Sequence, residues 1–310
     1  MSINNKVTII GAGLVGSTTA FSLLAENVAE EIALIDINKK LVSSQVMDLQ
    51  HSVPFLGYAK VKVGTYNDIG DSRLVIITSG ASQKPGETRL DLIKKNSTII
   101  KEIVPQIFKA NPKVIVIMVT NPVDILTHLT IKMFPDKKNQ IIGSGTVLDS
   151  ARLRFLLGER LKVDPKSIHA YIVGEHGDSE VPLWSTASIG NAPLDKFKKL
   201  TAAEKNKIFK KAKNAAYAII AGKQATYYAI AAGVAQIAKA ILFDQKTVLS
   251  VSHLIEGEYG LRHICLSLPV VIGRTGIIGK LPLAISKEEK KQLQTSAAKL
   301  KEAYKTLRAS

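Results

Sequence analysis

Cysteine is nearly missing. Cys265 is the one cysteine among 310 residues, which excludes an intrachain disulfide framework. It lies in the strand-like stretch His263-Ile264-Cys265-Leu266-Ser267-Leu268, where a buried, inert thiol is expected rather than a nucleophile. Long apolar runs are missing too: none reaches the ~18 residues that a membrane span needs, and residues 1–6 carry no apolar signal core. Export and membrane insertion are thereby disfavoured, and a cytoplasmic protein is expected. Aromatic residues make up 5% of the chain, and only Phe197 and Phe209 interrupt its main lysine series, too few for the stacking platforms of a nucleic-acid binder. Histidine is scarce, and no clustered ligand spacing points to a metal.

What is abundant is positive charge, and its placement matters more than its size. The formal charge is +16. Residues 1–150 hold 16 basic and 13 acidic side chains, whereas residues 151–310 hold 26 and 13. Much of the excess is the series Lys196, Lys198, Lys199, Lys205, Lys207, Lys210, Lys211 and Lys213, with Glu204 as its one interposed acid. The series reads as a solvated helix face that would also attract anionic metabolites.

The length is about twice that of a common domain, so two domains are expected. In the first half, short apolar runs alternate with helical patterns, as they do when parallel strands are joined by crossover helices. Strands are predicted at residues 7–10, 32–36, 60–64, 74–78, 114–119 and 140–143, giving an α/β doubly wound parallel sheet of the Rossmann type over residues 1–143. Residues 79–89, rich in glycine and polar residues around Pro85, read as a loop able to move. The helix after it carries Leu92, Ile99, Ile103 and Ile107 on its apolar face, and Pro105 should kink or divide it.

Residues 144–310 separate helices from strands, the pattern of an α+β unit. Thr201-x-x-Glu204 and Ser286-x-x-Glu289 have capping-box spacing. Leu293, Ala297, Leu300, Tyr304 and Leu307 mark a final amphipathic helix. Residues 247–253 and 266–272 are expected in a smaller, antiparallel sheet. A packed junction near residue 143 is a natural place for a small-ligand cleft.

Three constellations carry chemistry. Gly11-Ala12-Gly13-Leu14-Val15-Gly16 follows the first strand directly and opens a helix. Its glycines permit a tight turn and close backbone approach to a pyrophosphate, whose charge the helix N-terminus meets. Asp36 ends the second strand, 20 residues after Gly16, where a carboxylate binds the hydroxyls of an adenosine ribose and repels a 2′-phosphate. NAD is therefore favoured over NADP, although Lys39 and Lys40 nearby would suit a phosphate. Asp149-Ser150-Ala151-Arg152 places an acid and a guanidinium on one helix face, about 60° apart. Such a pair makes a local salt bridge; it can also divide its labour, the carboxylate orienting an imidazole and the guanidinium binding a substrate carboxylate through two parallel bonds. Gly174-Glu175-His176-Gly177-Asp178 supplies that imidazole, a group that titrates near neutrality. Alone, the pentapeptide describes a surface-loop histidine equally well.

With Thr120-Asn121-Pro122-Val123-Asp124 after the fifth strand, these motifs resemble those of the L-lactate and malate dehydrogenases, and the resemblance covers nearly the whole chain. It implies hydride transfer between NADH and a 2-oxo acid. His176 then resembles the proton donor, and Asp149 the carboxylate that orients it. Arg152 corresponds to the substrate-carboxylate ligand, and Arg89, on the mobile loop, to the group that polarises the carbonyl. Asn121 is expected beside the nicotinamide and the substrate oxygen, and Thr226, in Gln224-Ala225-Thr226-Tyr227-Tyr228, in the substrate pocket. Gly11, Gly13, Val15, Gly16 and Asp36 are expected at the cofactor.

Gln83 separates the two nearest readings. Malate enzymes that resemble this chain carry an arginine at the matching position to pair a second carboxylate, so glutamine favours pyruvate and L-lactate, with malate dehydrogenase as the alternative. Lys84 is adjacent. Arg154 and His169 match positions that in bacterial lactate dehydrogenases bind fructose 1,6-bisphosphate between subunits. The resemblance also implies a homotetramer, assembled without the N-terminal arm of vertebrate members. A catalytically silent NAD-binding protein is disfavoured by the intact set Arg89, Asp149, Arg152 and His176, and a nucleic-acid partner by the sparse aromatics.

Overall fold

In the first half, β-branched runs fill strands buried on both faces, the burial that parallel sheets impose. The computed structural model describes residues 5–81 and 88–309. Its first half runs β1 (Lys6–Ile10), α1 (Leu14–Ala25), β2 (Glu31–Ile35), α2 (Lys39–Leu56), β3 (Lys60–Val63), β4 (Leu74–Ile77), α3 (Arg89–Ala110), β5 (Ile115–Met118), α4 (Val123–Met133) and β6 (Ile141–Gly143). The six strands are parallel in the order β3-β2-β1-β4-β5-β6, which is the doubly wound arrangement the sequence predicts. Strand periodicity divides β4 between two cores. Leu74 and Ile76 of β4 pack with Leu23 and Leu24 of α1 and Val46 of α2, whereas Val75 and Ile77 pack with Ile100 and Ile107 of α3 and Leu126 of α4.

Pro105 does not divide α3, which is helical from Arg89 to Ala110. Pro105 and Lys101 are both exposed, so the carbonyl that loses its partner to the proline faces water. The buried stripe is Ile93, Ile100, Ile103, Val104, Ile107 and Phe108, while Leu92 and Ile99 are half-buried.

The second half comprises α5 (Val147–Leu161), β7 (Ile168–His169), β8 (Ile172–Val173), β9 (Val181–Pro182), β10 (Ser188–Ile189), β11 (Ala192–Pro193), α6 (Leu194–Phe197), α7 (Ala202–Lys223), α8 (Tyr228–Leu242), β12 (Thr247–Glu256), β13 (Arg262–Gly273), β14 (Gly276–Lys280) and α9 (Lys287–Ala309). Both capping boxes form. Thr201 Oγ1 accepts from the Glu204 amide at 3.2 Å, and Ser286 Oγ from the Glu289 amide at 3.2 Å. In α9, Leu293, Ala297 and Leu300 are buried and Tyr304 and Leu307 pack at the margin. Only Ile208 and Ala212 of α7 are buried, and Lys207, Lys210 and Lys211 lie exposed as the charge pattern suggests, whereas Lys205 and Lys213 are partly covered.

One expectation fails. The antiparallel strands β12, β13 and β14 do not form a separate smaller sheet; they extend the parallel sheet to nine strands, with β12 antiparallel beside β6. The join is Ser252 opposite Gly143, where an added Cβ on Gly143 would stand 2.8 Å from that of Ser252. The absent side chain thus lets the two strands meet. Separate small sheets do exist, β11-β10-β7 and β8-β9. No helix among the described residues is long and apolar enough to cross a membrane.

Candidate active site

The turn between β1 and α1 is held shut by backbone contacts that only glycine tolerates. Gly11 has φ +108°, and a Cβ on Gly16 would stand 1.8 Å from the Gly11 carbonyl oxygen. At Gly13, by contrast, an added Cβ would meet nothing within 4 Å. Gly13 is the N-cap of α1 and its helix start carries no side-chain cap, so the first-turn amides are available to an anion in that open space. Asp36, just past β2, accepts from the Ala12 amide at 2.7 Å and from the Asn38 amide at 2.8 Å. A carboxylate has about four acceptor positions, so capacity remains for a ribose diol. These residues fit a dinucleotide: close backbone, free amides and a well-anchored acid. Val15 lies in the first turn of α1.

The histidine is fixed at two points by acids from two helices. The His176 amide donates to Asp124 Oδ2 of α4 at 2.7 Å, and ring Nδ1 lies 2.6 Å from Asp149 Oδ2 of α5. Asp149 also accepts from Arg152 Nη1 at 2.9 Å, so the local salt bridge exists alongside the contact with the imidazole. The loop bearing His176 is held from behind. Gly174, at φ +89°, bridges Ser267 of β13, and the Glu175 amide donates to Ser296 Oγ of α9 at 2.8 Å. From α7, Lys213 Nζ donates to the Asp178 carbonyl at 2.6 Å and the Tyr217 hydroxyl reaches Asp178 Oδ1 at 3.0 Å.

Electrostatics follow from this geometry. Burial pushes the His176 imidazolium toward losing its proton, but the adjoining Asp149 carboxylate, by charge and hydrogen bond, outweighs it. Asp124 and Glu180 add to that pull, and the imidazole pKa rises to about 9. Burial pushes Asp149 the other way, yet His176 and Arg152 together hold it below the ordinary carboxylate value.

His176, Arg152, Asn121 and Thr226 line one cavity of about 130 Å³, with Ile220 and Ile230 supplying apolar wall. Arg89 is the first residue of α3, whose start is capped by Thr88 and Asp91. Gln83 lies outside the described residues. Arg154 is half-buried, and that burial lowers its guanidinium pKa against the opposing pull of Tyr171, while His169 is exposed on β7. Neither lines the His176 cavity.

Sequence reasoning passes over three residues. Asp124 stands in a quoted motif without a role, although it anchors the His176 backbone. Buried Asn96 of α3 accepts from the Ala81 amide at 2.7 Å and donates to the Asn121 carbonyl at 2.7 Å, tying two strand-end loops together. Its signal was a polar residue on the buried face of an amphipathic helix. Glu180, two residues past the pentapeptide, is 7% exposed.

Comparison with known proteins gives a uniform result. Residues 5–143 match the family described as lactate/malate dehydrogenase, NAD binding domain, and residues 146–310 its alpha/beta C-terminal domain. The L-lactate dehydrogenase of Acetivibrio thermocellus is 48% identical over 307 residues, covering 97% of each chain. L-lactate dehydrogenase 1 of Clostridium acetobutylicum is 45% identical, covering 99% of this chain and 100% of that one. The crystal structure of the minor L-lactate dehydrogenase of Enterococcus mundtii, in a ligand-bound form, superposes with a TM-score of 0.96 at 38% identity and full coverage of both chains.

The contact between Gly16 and Gly11 generates a first prediction. Gly16→Ala forces the turn open and should weaken NADH binding roughly tenfold or more, about 1.4 kcal/mol, in a fluorescence titration. Wild-type affinity in a folded variant would contradict the cradle.

Proposed function

The chain belongs to the lactate/malate dehydrogenase family, and we propose that it catalyses the reversible NADH-dependent reduction of pyruvate to L-lactate with His176 as the proton donor. The observation that carries this reading is the 2.6 Å contact between His176 Nδ1 and Asp149, made at the edge of a cavity that Arg152, Asn121 and Thr226 also line. Bound NADH supplies the hydride; everything else in the reaction falls to side chains of this chain. Asp149 holds the imidazole by Nδ1, so Nε2 is the nitrogen left to give a proton to the developing alkoxide, and to take one back in lactate oxidation. Arg152 holds the substrate carboxylate while remaining paired with Asp149, which fixes the guanidinium plane. Asn121 orients the carbonyl oxygen. Arg89, at the start of α3, is assigned the positive charge that stabilises that oxygen.

Pyruvate is favoured over oxaloacetate because position 83 is glutamine, and the relatives described above are lactate dehydrogenases. A second substrate carboxylate would be left without a partner there, which costs several kcal/mol if buried. We take residues 1–143 as the cofactor-binding unit and 144–310 as the substrate unit, the site lying where they meet. Arg154 and His169, in the more basic half of the chain, are assigned to fructose 1,6-bisphosphate between subunits of a homotetramer. Burial of Arg154 beside Tyr171 leaves a guanidinium with little solvation to lose on meeting a phosphate.

Three measurements test this. His176→Gln should leave NADH binding near wild type while kcat falls by about 10²-fold or more, the usual contribution of a positioned acid; retained turnover removes the histidine from its role. Gln83→Arg should raise the kcat/KM ratio of oxaloacetate to pyruvate by about tenfold or more, worth at least about 1.4 kcal/mol. An unchanged ratio removes Gln83 from substrate selection. Fructose 1,6-bisphosphate should lower the pyruvate concentration at half-saturation and promote association in sedimentation, and Arg154→Gln should abolish both effects. Identical saturation curves with and without it, at neutral and mildly acidic pH, would sink the assignment.

A further inference from the structure

A cavity of about 870 Å³ opens at the edge of the sheet where β4, β5 and β6 begin, opposite to the edge that carries Gly11 and Asn121. That volume falls within the range of small-molecule sites. Backbone contacts fix its walls. Arg73 directly precedes β4; its amide donates to the Lys6 carbonyl at 2.9 Å, and its carbonyl accepts from the Ile115 amide at 3.2 Å. Arg274 lies in the turn between β13 and β14, where its amide donates to Asp244 Oδ1 at 2.8 Å. That turn is drawn against the segment before β6: the Ile277 amide donates to the Asn139 carbonyl at 3.0 Å, and a Cβ on Gly276 would stand 2.1 Å from the same oxygen.

The chemistry of the lining is cationic. Arg73, Arg274 and Lys113 all line the cavity, and none of them forms an ion pair among the described residues. Arg73 Nη2 donates to the Arg274 carbonyl at 3.4 Å, while Nε is shut away from solvent with no acceptor. A half-buried guanidinium with one donor unsatisfied and no counter-charge is costly to keep. The two arginines also repel each other: burial first, and then the charge of Arg274, lower the Arg73 pKa against the pull of Asp244. Nearby acids do not cancel the excess. Asp71 pairs with Lys6 at 2.5 Å and Asp136 with Lys137 at 3.1 Å, and Asp244 is engaged by the Arg274 amide. Helix α3 ends beside the cavity at its C-cap Asn111, and the dipole there amounts to about half a negative charge, which one cation would offset. Three are present.

We propose that this cavity binds a small oxyanion carrying two or more negative charges, a phosphate compound or a polycarboxylate, with Arg73 and Arg274 as its ligands and Lys113 at the rim. A planar guanidinium presents paired N–H donors that match phosphate and carboxylate oxygens. Two of them, held together by the start of β4 and the β13–β14 turn, favour a multiply charged group over chloride. The bound anion compensates the charge of Arg73 and screens the repulsion between the arginines. The cavity is separate from the cofactor turn and from Arg154 and His169, none of which lines it. Nothing in it depends on the reaction assigned to His176.

The test is isothermal titration calorimetry of the NADH-saturated protein with pyrophosphate and with citrate, against sodium chloride at matched ionic strength. NADH fills the glycine turn and blocks binding there. One saturable site per chain is expected for at least one of the two anions, and the tighter of them identifies the group that the arginines receive. Arg73→Gln and Arg274→Gln should each weaken that binding roughly tenfold or more, the loss of a hydrogen bond to a charged group. Lys113→Gln, at an exposed position where no packing is disturbed, should weaken it about threefold and serves if an arginine variant fails to fold. The site should persist in Arg154→Gln. The bound anion should also raise the melting temperature of wild type and not that of Arg73→Gln. Absence of saturable binding by both anions, wild-type binding in Arg73→Gln and Arg274→Gln, or binding lost in Arg154→Gln would each overturn the proposal. Where neither arginine variant folds, unchanged binding in Lys113→Gln would do the same.

Discussion

A buried carboxylate has to be paired, and the pairing of Asp149 organises the site around it. The residue is 2% exposed, and its charge survives because Arg152 and His176 each give it a partner, at 2.9 Å and 2.6 Å. Each contact then serves a second purpose. The bond to His176 occupies ring Nδ1, and the bond to Arg152 Nη1 restrains the plane of the guanidinium. One acid on α5 thereby orients both the imidazole of His176 and the guanidinium of Arg152, the proton donor and carboxylate ligand of the proposed reaction.

That geometry is only as rigid as the frame behind it. The first turn of α5 is held by Thr146, whose hydroxyl reaches the Ile172 carbonyl at 2.5 Å and Ser250 Oγ at 2.9 Å, while its amide donates to Ser267 Oγ at 3.1 Å. These partners lie on or beside β8, β12 and β13, so the acid-bearing helix is tied to the same strands that support the histidine loop. Asp124 completes the frame from α4 by holding the His176 backbone. Helix α7, otherwise a lysine-covered surface element, reaches the loop through Lys213 and Tyr217. Positioning is thus distributed over four helices and the extended sheet.

Much of this was legible in the chain, and the reasons for the remainder are physical. Strand periodicity and the glycine fingerprint are local signals, so the six parallel strands and the tight turn between β1 and α1 could be read without knowing what lies beside them. The pairing of His176 with Asp149, 27 residues apart, required only that two motifs share a reaction. What local pattern does not encode is which sheet an antiparallel strand joins; β12 and β13 read correctly as strands and as antiparallel, yet their place beside β6 depends on the bare Gly143 at its end. Pro105 does not divide α3 because Lys101, whose carbonyl loses its partner to the proline, lies on the exposed face. Asn96 left only a faint trace for a related reason: a polar residue on an apolar helix face looks like noise until its partners are known.

The continuity of the sheet bears on how such a protein can be divided or recombined. Helix α8, late in the chain, contributes Val234, Ala235 and Ile241 to the same core as Leu23 and Leu24 of α1, and β12 lies against β6. A gene cut between the two matched regions, residues 5–143 and 146–310, would therefore expose an apolar helix face on one fragment and an unpaired strand edge on the other. Modular exchange of the two halves, simple in a protein whose units only touch, here requires matching a shared core.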